Sequence, residues 1–180
     1  MIYKRIVINS FFLRIFCKSI ERTSSRRNMS TPPNPNCLFC RIADDNVQTD
    51  TDLVFTNEEF VAFKDHKPAA QYHYLVVTRA HHGKINSLKK EDSEMISRME
   101  DVGKYVLANQ ISGFDGVVDN VKLPDALMGF HWPMCLVGHL HMHAIYPAPS
   151  MSFLNRNVVF SQKFSFGTPD MAIEMLESKK

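Results

Sequence analysis

The sequence has no uninterrupted apolar run of the ~18 residues that a bilayer-spanning helix needs, so no membrane partner is expected. It also has little net charge. With 21 Lys and Arg against 19 Asp and Glu, the balance of +2 offers no field to attract nucleic acid or a lipid surface. Cysteine is scarce, at four in 180 residues, too few and too unevenly placed for a disulfide framework. A reducing compartment and a metal site fit those cysteines better. A secretory signal is not expected either, because neither an uninterrupted apolar segment nor a small-residue cleavage site is evident. No internal repeat is present, and neither Cys nor His occurs after His143.

Acid is nearly absent from the first 28 residues, where Lys4, Arg5, Arg14, Lys18, Arg22, Arg26 and Arg27 face Glu21 alone. Ile6 to Phe16 is apolar and aromatic but broken by Asn9, Ser10 and Arg14. Two readings fit: a mitochondrial presequence, or an extension preceding a true start at Met29. The run Met29-Ser30-Thr31-Pro32-Pro33-Asn34-Pro35-Asn36 is then an extended linker. Residues 1–36 are therefore expected to be an extension and linker, and 37–180 one folded domain, long enough to bury a sizeable core.

Within that domain Cys37 to Ala43 is expected to form a turn or short helix. Leu53 to Phe55, Phe60 to Asp65 and Tyr72 to Thr78 read as strands, the last β-branched and aromatic. Between Leu88 and Asn109 the period lengthens: Met95, Met99, Val102 and Val106 recur at helical spacing among charged residues. Ala126 to Trp132 and Leu136 to Ile145 return to strand. Thr168-Pro169-Asp170 caps a closing helix through Leu176. Strands on both sides of one long helix, joined by mostly short connections, predict an α+β domain with an antiparallel sheet.

The chemistry is concentrated in His139-Leu140-His141-Met142-His143, where three imidazoles alternate with apolar residues. On a strand the three rings project to one face, ~6.6 Å apart, while Leu140, Met142 and Ala144 face a core. Such a row can be a His-rich strand, a metal site, or a nucleophilic centre for chemistry at phosphorus. Spacing alone leaves these open. Asp65, at the end of a strand that Pro68 terminates, is either a ribose-holding carboxylate or an ordinary turn residue.

Taken in order, the landmarks carry a resemblance. They are Cys37-Leu38-Phe39-Cys40-Arg41-Ile42, Phe63-Lys64-Asp65-His66-Lys67-Pro68-Ala69, His73-Tyr74-Leu75-Val76-Val77 with His81, Met128-Gly129-Phe130-His131, and the triple histidine. From Cys37 to near the C-terminus the chain resembles the histidine-triad (HIT) superfamily, and within it the third type of Hint nucleotide-binding phosphoramidase. That resemblance implies a five-stranded antiparallel sheet with one long helix and a C-terminal helix, paired into a homodimer. It implies hydrolysis of the P–N bond of adenosine 5'-phosphoramidates, and of aminoacyl adenylates, to release AMP with no cofactor required for catalysis. His141 would be the nucleophile and His143 a phosphate-oxygen ligand. His139 and His73 would orient His141, Asp65 would hold the ribose, and His66 would line the base pocket. A purine nucleotide is the implied partner, nucleic acid is not, and the implied location is cytoplasmic and nuclear, or mitochondrial if residues 1–28 are a presequence.

The resemblance also implies a Cys2His2 set for structural zinc at Cys37, Cys40, His81 and His139. Two buried, reduced cysteines are the alternative. His82 is expected to be solvated, Cys17 and Cys135 carry no assigned role, and His131 either borders the pocket or packs. One departure matters: Leu136 stands where most Hint proteins carry a serine that meets the phosphate or the leaving group. It favours a second reading, a nucleotide-binding regulatory module with weakened catalysis. A third is a HIT hydrolase of dinucleoside polyphosphates.

Overall fold

The computed structural model describes residues 34–44, 47–112, 123–133 and 135–179. The presequence and start-site readings, and Cys17, lie outside these residues. Chain order runs α1 (Leu38–Ala43), β1 (Leu53–Thr56), β2 (Phe60–Lys64), β3 (Tyr72–Thr78), α2 (Ser93–Ser112), β4 (Leu127–His131), β5 (His141–Tyr146), β6 (Phe166–Gly167) and α3 (Pro169–Glu177). The strands form one antiparallel sheet in the order β1-β2-β3-β5-β4-β6.

The sheet has six strands rather than five. The extra one is the two-residue β6, which pairs Phe166 and Gly167 with His131 and Phe130. Two residues carry no alternation to detect. This close pairing explains Gly129, whose φ is +156° and whose added Cβ would meet the Gly167 carbonyl.

Two-residue alternation sorts the sheet into two faces. Ala62, Tyr74, Val76, Met142 and Ala144 join Met95, Ile96, Met99, Val102, Val106 and Leu107 of α2 and Leu176 of α3 in the main core. At Gly103 the helix lies so close to the sheet that an added Cβ would come within 2.8 Å of Met142 Cε. Val61, Phe63, Leu75 and Val77 point the other way and pack with Phe39, Ile42 and Ala43 of α1. No helix of the described residues is long and apolar enough to cross a membrane.

The helical period of α2 holds, but its start moves from Leu88 to Ser93. Two 3-10 turns, Ile85–Ser87 and Lys90–Asp92, precede it, and Asp92 Oδ2 accepts the Lys89 N–H at 2.8 Å. The closing helix begins as expected, with Thr168 Oγ1 accepting from Met171 N–H at 3.3 Å. β4 is one residue shorter at each end than the Ala126 to Trp132 expectation. Trp132 N–H still bonds to Ser165 O at 2.9 Å, and Pro133, with no N–H, carries the pairing no further. β5 starts at His141, not Leu136, so His139 precedes the strand. There Leu140 N–H bonds to His82 O at 2.8 Å and Leu140 O accepts Thr78 N–H at 3.4 Å, tying the chain to the end of β3.

Candidate active site

β3 and β5 lie side by side with Val77 opposite His141 and Leu75 opposite His143. Pleating therefore places His73, His141 and His143 on the face away from α2, and all are buried. Adjacent β4 brings His131 to the same face, its ring centroid 4.7 Å from that of His143. Phe160 and Phe166 set their edges against His143, and Phe39 sets its edge against His141 at 5.1 Å.

The hydrogen bonds assign the tautomers. Ala69 N–H donates to His73 Nδ1 at 3.0 Å, so His73 carries its proton on Nε2. That Nε2–H donates to His143 Nδ1 at 2.8 Å, which leaves the His143 proton on Nε2. His143 Nε2 is buried and has no partner among the described residues. Next to it, His141 Nδ1–H donates to the backbone carbonyl of His139 at 2.7 Å, leaving Nε2 as a lone pair. Two neighbouring imidazoles thus offer opposite functions, a free acceptor on His141 and a free donor on His143.

Burial enforces neutrality. Desolvation pushes His73 down to about 4, against the pull of Asp65 and with help from His131. Desolvation likewise lowers His141, lowers His143 well below its ordinary value, and lowers His131. A neutral imidazole at neutral pH is a competent nucleophile.

The expected orienting roles change in their atoms. His139 holds His141 through its backbone carbonyl rather than its ring, and His73 contacts His143 rather than His141. Asp65 follows β2 and accepts Lys67 N–H at 2.8 Å, with Oδ2 lying 3.6 Å from His73 Nε2. His66 is mostly exposed, its Nδ1 3.5 Å from Asp65 Oδ1.

The His139 ring serves a second cluster. Its Nε2–H donates to Thr78 O at 2.7 Å, which turns the Nδ1 lone pair toward Cys40 Sγ at 3.4 Å and Cys37 Sγ at 3.5 Å. Cys40 Sγ also lies 3.0 Å from His81 Nδ1. These four donors lie within 4.8 Å of one another. A tetrahedral zinc with bonds of ~2.0–2.3 Å separates its ligand atoms by roughly 3.3–3.8 Å. The three contacts at 3.0, 3.4 and 3.5 Å come within a few tenths of an ångström of that, and the remaining pairs lie within 4.8 Å. Burial raises the Cys40 thiol, as does the neighbouring Cys37.

Sequence reasoning left His131 undecided and gave Cys135 no role. Both border a void of about 10 Å³ beside His141, together with Lys84 and His139. The pairing of β4 with β5, which puts Gly129 opposite His143, was the signal for His131. Cys135 lies in an irregular turn, where periodicity says nothing. That turn also borders a recess of about 350 Å³ lined by Asn34, Asn36, Cys37, Leu38, His81, Leu136, Val137 and Gly138. Leu136, the departure noted in the sequence, is fully exposed on its rim.

A family model described as "Scavenger mRNA decapping enzyme C-term binding" matches residues 36–159. The chain is 40% identical over 159 residues to adenosine 5'-monophosphoramidase HINT3 of Mus musculus, covering 87% of this chain and 90% of the mouse protein. It is 35% identical over 144 residues to the HINT3 phosphoramidase of Xenopus tropicalis, covering 79% of this chain and 88% of that one. A solved histidine triad protein from Clostridium difficile matches with a TM-score of 0.50 at 23% identity, over 62% of this chain and 90% of that one, a likeness of fold alone. With relatives aligned over most of both chains, this protein belongs to the histidine-triad superfamily, in its HINT3-like branch.

Proposed function

We propose that residues 37–180 hydrolyse adenosine 5'-phosphoramidates to AMP and an amine through a nucleotidyl-histidine intermediate. The observation that carries this is the opposed pair of ring nitrogens, the His141 Nε2 lone pair and the His143 Nε2–H. The names of the mouse and frog relatives support it. His141 Nε2 attacks phosphorus, a P–N bond to the ring forms, and the substrate's own P–N bond breaks as the amine takes a proton from solvent, which the attacking water returns in the second step. His141 then carries positive charge, which the His139 carbonyl stabilises through Nδ1–H. The buried His143 N–H meets charge on a phosphoryl oxygen as phosphorus becomes five-coordinate. Water next attacks phosphorus and frees AMP and the ring. With aminoacyl adenylates the same attack would break a P–O bond and release the amino-acid carboxylate, which needs no proton. Asp65 and His66 are assigned to the ribose and base.

The void beside His141 holds about one water, whereas a ligand of nucleotide size needs some hundreds of Å³. The turn Cys135–Gly138 borders both this void and the larger recess of about 350 Å³. Cys37, Cys40, His81 and His139 are assigned to zinc, which would cross-link α1 to the ends of β3 and β5 when bound. The working unit is a homodimer.

The test is incubation with adenosine 5'-phosphoramidate, following AMP by chromatography in wild type and His141→Ala. Release by wild type only is the expected result. The exposed Leu136 favours a second reading, a nucleotide-binding module without turnover. AMP binding with no release from any phosphoramidate would establish that reading instead.

A further inference from the structure

His139 belongs to two sites at once. Its ring Nδ1 faces the thiols of Cys37 and Cys40, and its backbone carbonyl, 2.7 Å from His141 Nδ1, holds the nucleophile's proton. A second route joins the same sites. Phe39, between the two cysteines on α1, sets its ring edge against His139 at 6.0 Å and His141 at 5.1 Å. The ring of His139 is itself fixed by Thr78, whose carbonyl accepts Nε2–H at 2.7 Å and whose hydroxyl lies 3.2 Å from the same nitrogen. Residue 139 precedes β5 and lies outside its ladder. Its backbone is held through the neighbouring Leu140, bonded to His82 O and Thr78 N–H, and its ring through Thr78 on one side with the two thiols facing the other.

We propose that a divalent metal ion bound by Cys37, Cys40, His81 and His139 positions the nucleophile, so that metal binding and nucleotide binding at His141 are energetically linked. The inference rests on the reading of the cluster as a zinc site and of His141 as the nucleotide-bearing residue. A metal bonded to Nδ1 clamps the ring, the clamped ring fixes the following peptide, and the His139 carbonyl then stays aligned with His141 Nδ1–H. Metal bonds to Cys37 and Cys40 also fix the turn of α1 that presses Phe39 against His141. Linkage is reciprocal, so nucleotide held at His141 must tighten the metal by the factor with which metal tightens the nucleotide.

The test uses the full chain and two readouts. The first is proton NMR of the His141 Nδ1–H, identified by its loss in His141→Ala, on adding one equivalent of zinc without nucleotide. The resonance is expected to sharpen as its exchange with solvent slows, and to broaden again on chelation. Cys40→Ser should show no response; chelation of wild-type protein gives the same comparison if that variant does not fold. The second is cobalt affinity, from its tetrahedral absorption against a competing chelator, with and without saturating AMP. AMP should tighten cobalt by about fivefold or more in wild type and His143→Ala, and not in His141→Ala. A proton that ignores zinc, or a cobalt affinity indifferent to bound AMP, overturns the linkage. If AMP fails to bind while the proton still responds to zinc, the nucleotide reading fails and the positioning role stands.

Discussion

At the residue scale the site is a problem in keeping imidazoles neutral and pointed. The Ala69 N–H, by donating to His73 Nδ1, fixes the proton positions of two rings in succession and ends in the free His143 donor. Removing that donor in His143→Ala leaves the nucleophile intact, and kcat for phosphoramidate hydrolysis should fall by about 10²–10³ with a smaller change in KM. Burial also makes a pH prediction. His73 sits at about 4 when folded, against ~6.5 in an unfolded chain. Below pH 6.5 the unfolded chain takes up a proton that the folded site refuses. Stability therefore falls between about pH 6.5 and 4, by up to about 1.4 kcal/mol per pH unit for each such histidine. Around His73 stand Asp65, His131 and His143, and only the first favours its charged form. Thermal melts at pH 7, 6 and 5 should show a steady drop in Tm, and a flat or rising profile would contradict neutral burial.

At the scale of elements, what was legible follows periodicity. Tyr72–Thr78 reads as a strand because its β-branched and aromatic residues are bounded by polar turns, and α2 because Met95, Met99, Val102 and Val106 share one stripe. The alternation of His141, Met142, His143 and Ala144 separated the histidine-bearing face from the core face. Three features were not legible. β6 is too short to show a pattern, residues 135–139 are set by turn contacts and by the hydrogen bonds of the His139 ring, and His139 meets His141 through a backbone atom that no side-chain rule reports. The elements carry two tests. Thr168→Ala removes the cap of α3 and should cost about 1 kcal/mol in denaturant unfolding. Gly129→Ala drives a methyl against Gly167 O and should cost more, about 2–4 kcal/mol, with loss of the β4–β6 pairing.

At the scale of the molecule, one antiparallel sheet separates a helix-covered core from a histidine-bearing face. The arrangement explains why a small set of polar residues can be buried without disordering the domain. The core on the α2 side supplies the cohesion, and Met99→Ala, at a fully buried position there, should cost about 2–5 kcal/mol without changing the tautomers across the sheet. On the other face Cys37, Cys40, His81 and His139 gather at α1 and the ends of β3 and β5, where a bound metal would tie these elements together. Chelation of zinc-loaded protein should lower Tm, since a metal at 100 times its Kd adds about 2.7 kcal/mol.

The resemblance that the ordered motifs carried agrees with the relatives aligned over most of the chain. The most direct measurement is intact-protein and peptide mass spectrometry after rapid quenching of a reaction with adenosine 5'-phosphoramidate. An added AMP moiety on the peptide containing His141, absent from His141→Ala, is the predicted result. AMP release from wild type with no adduct at any quench time, or undiminished release by His141→Ala, would contradict transfer through this ring.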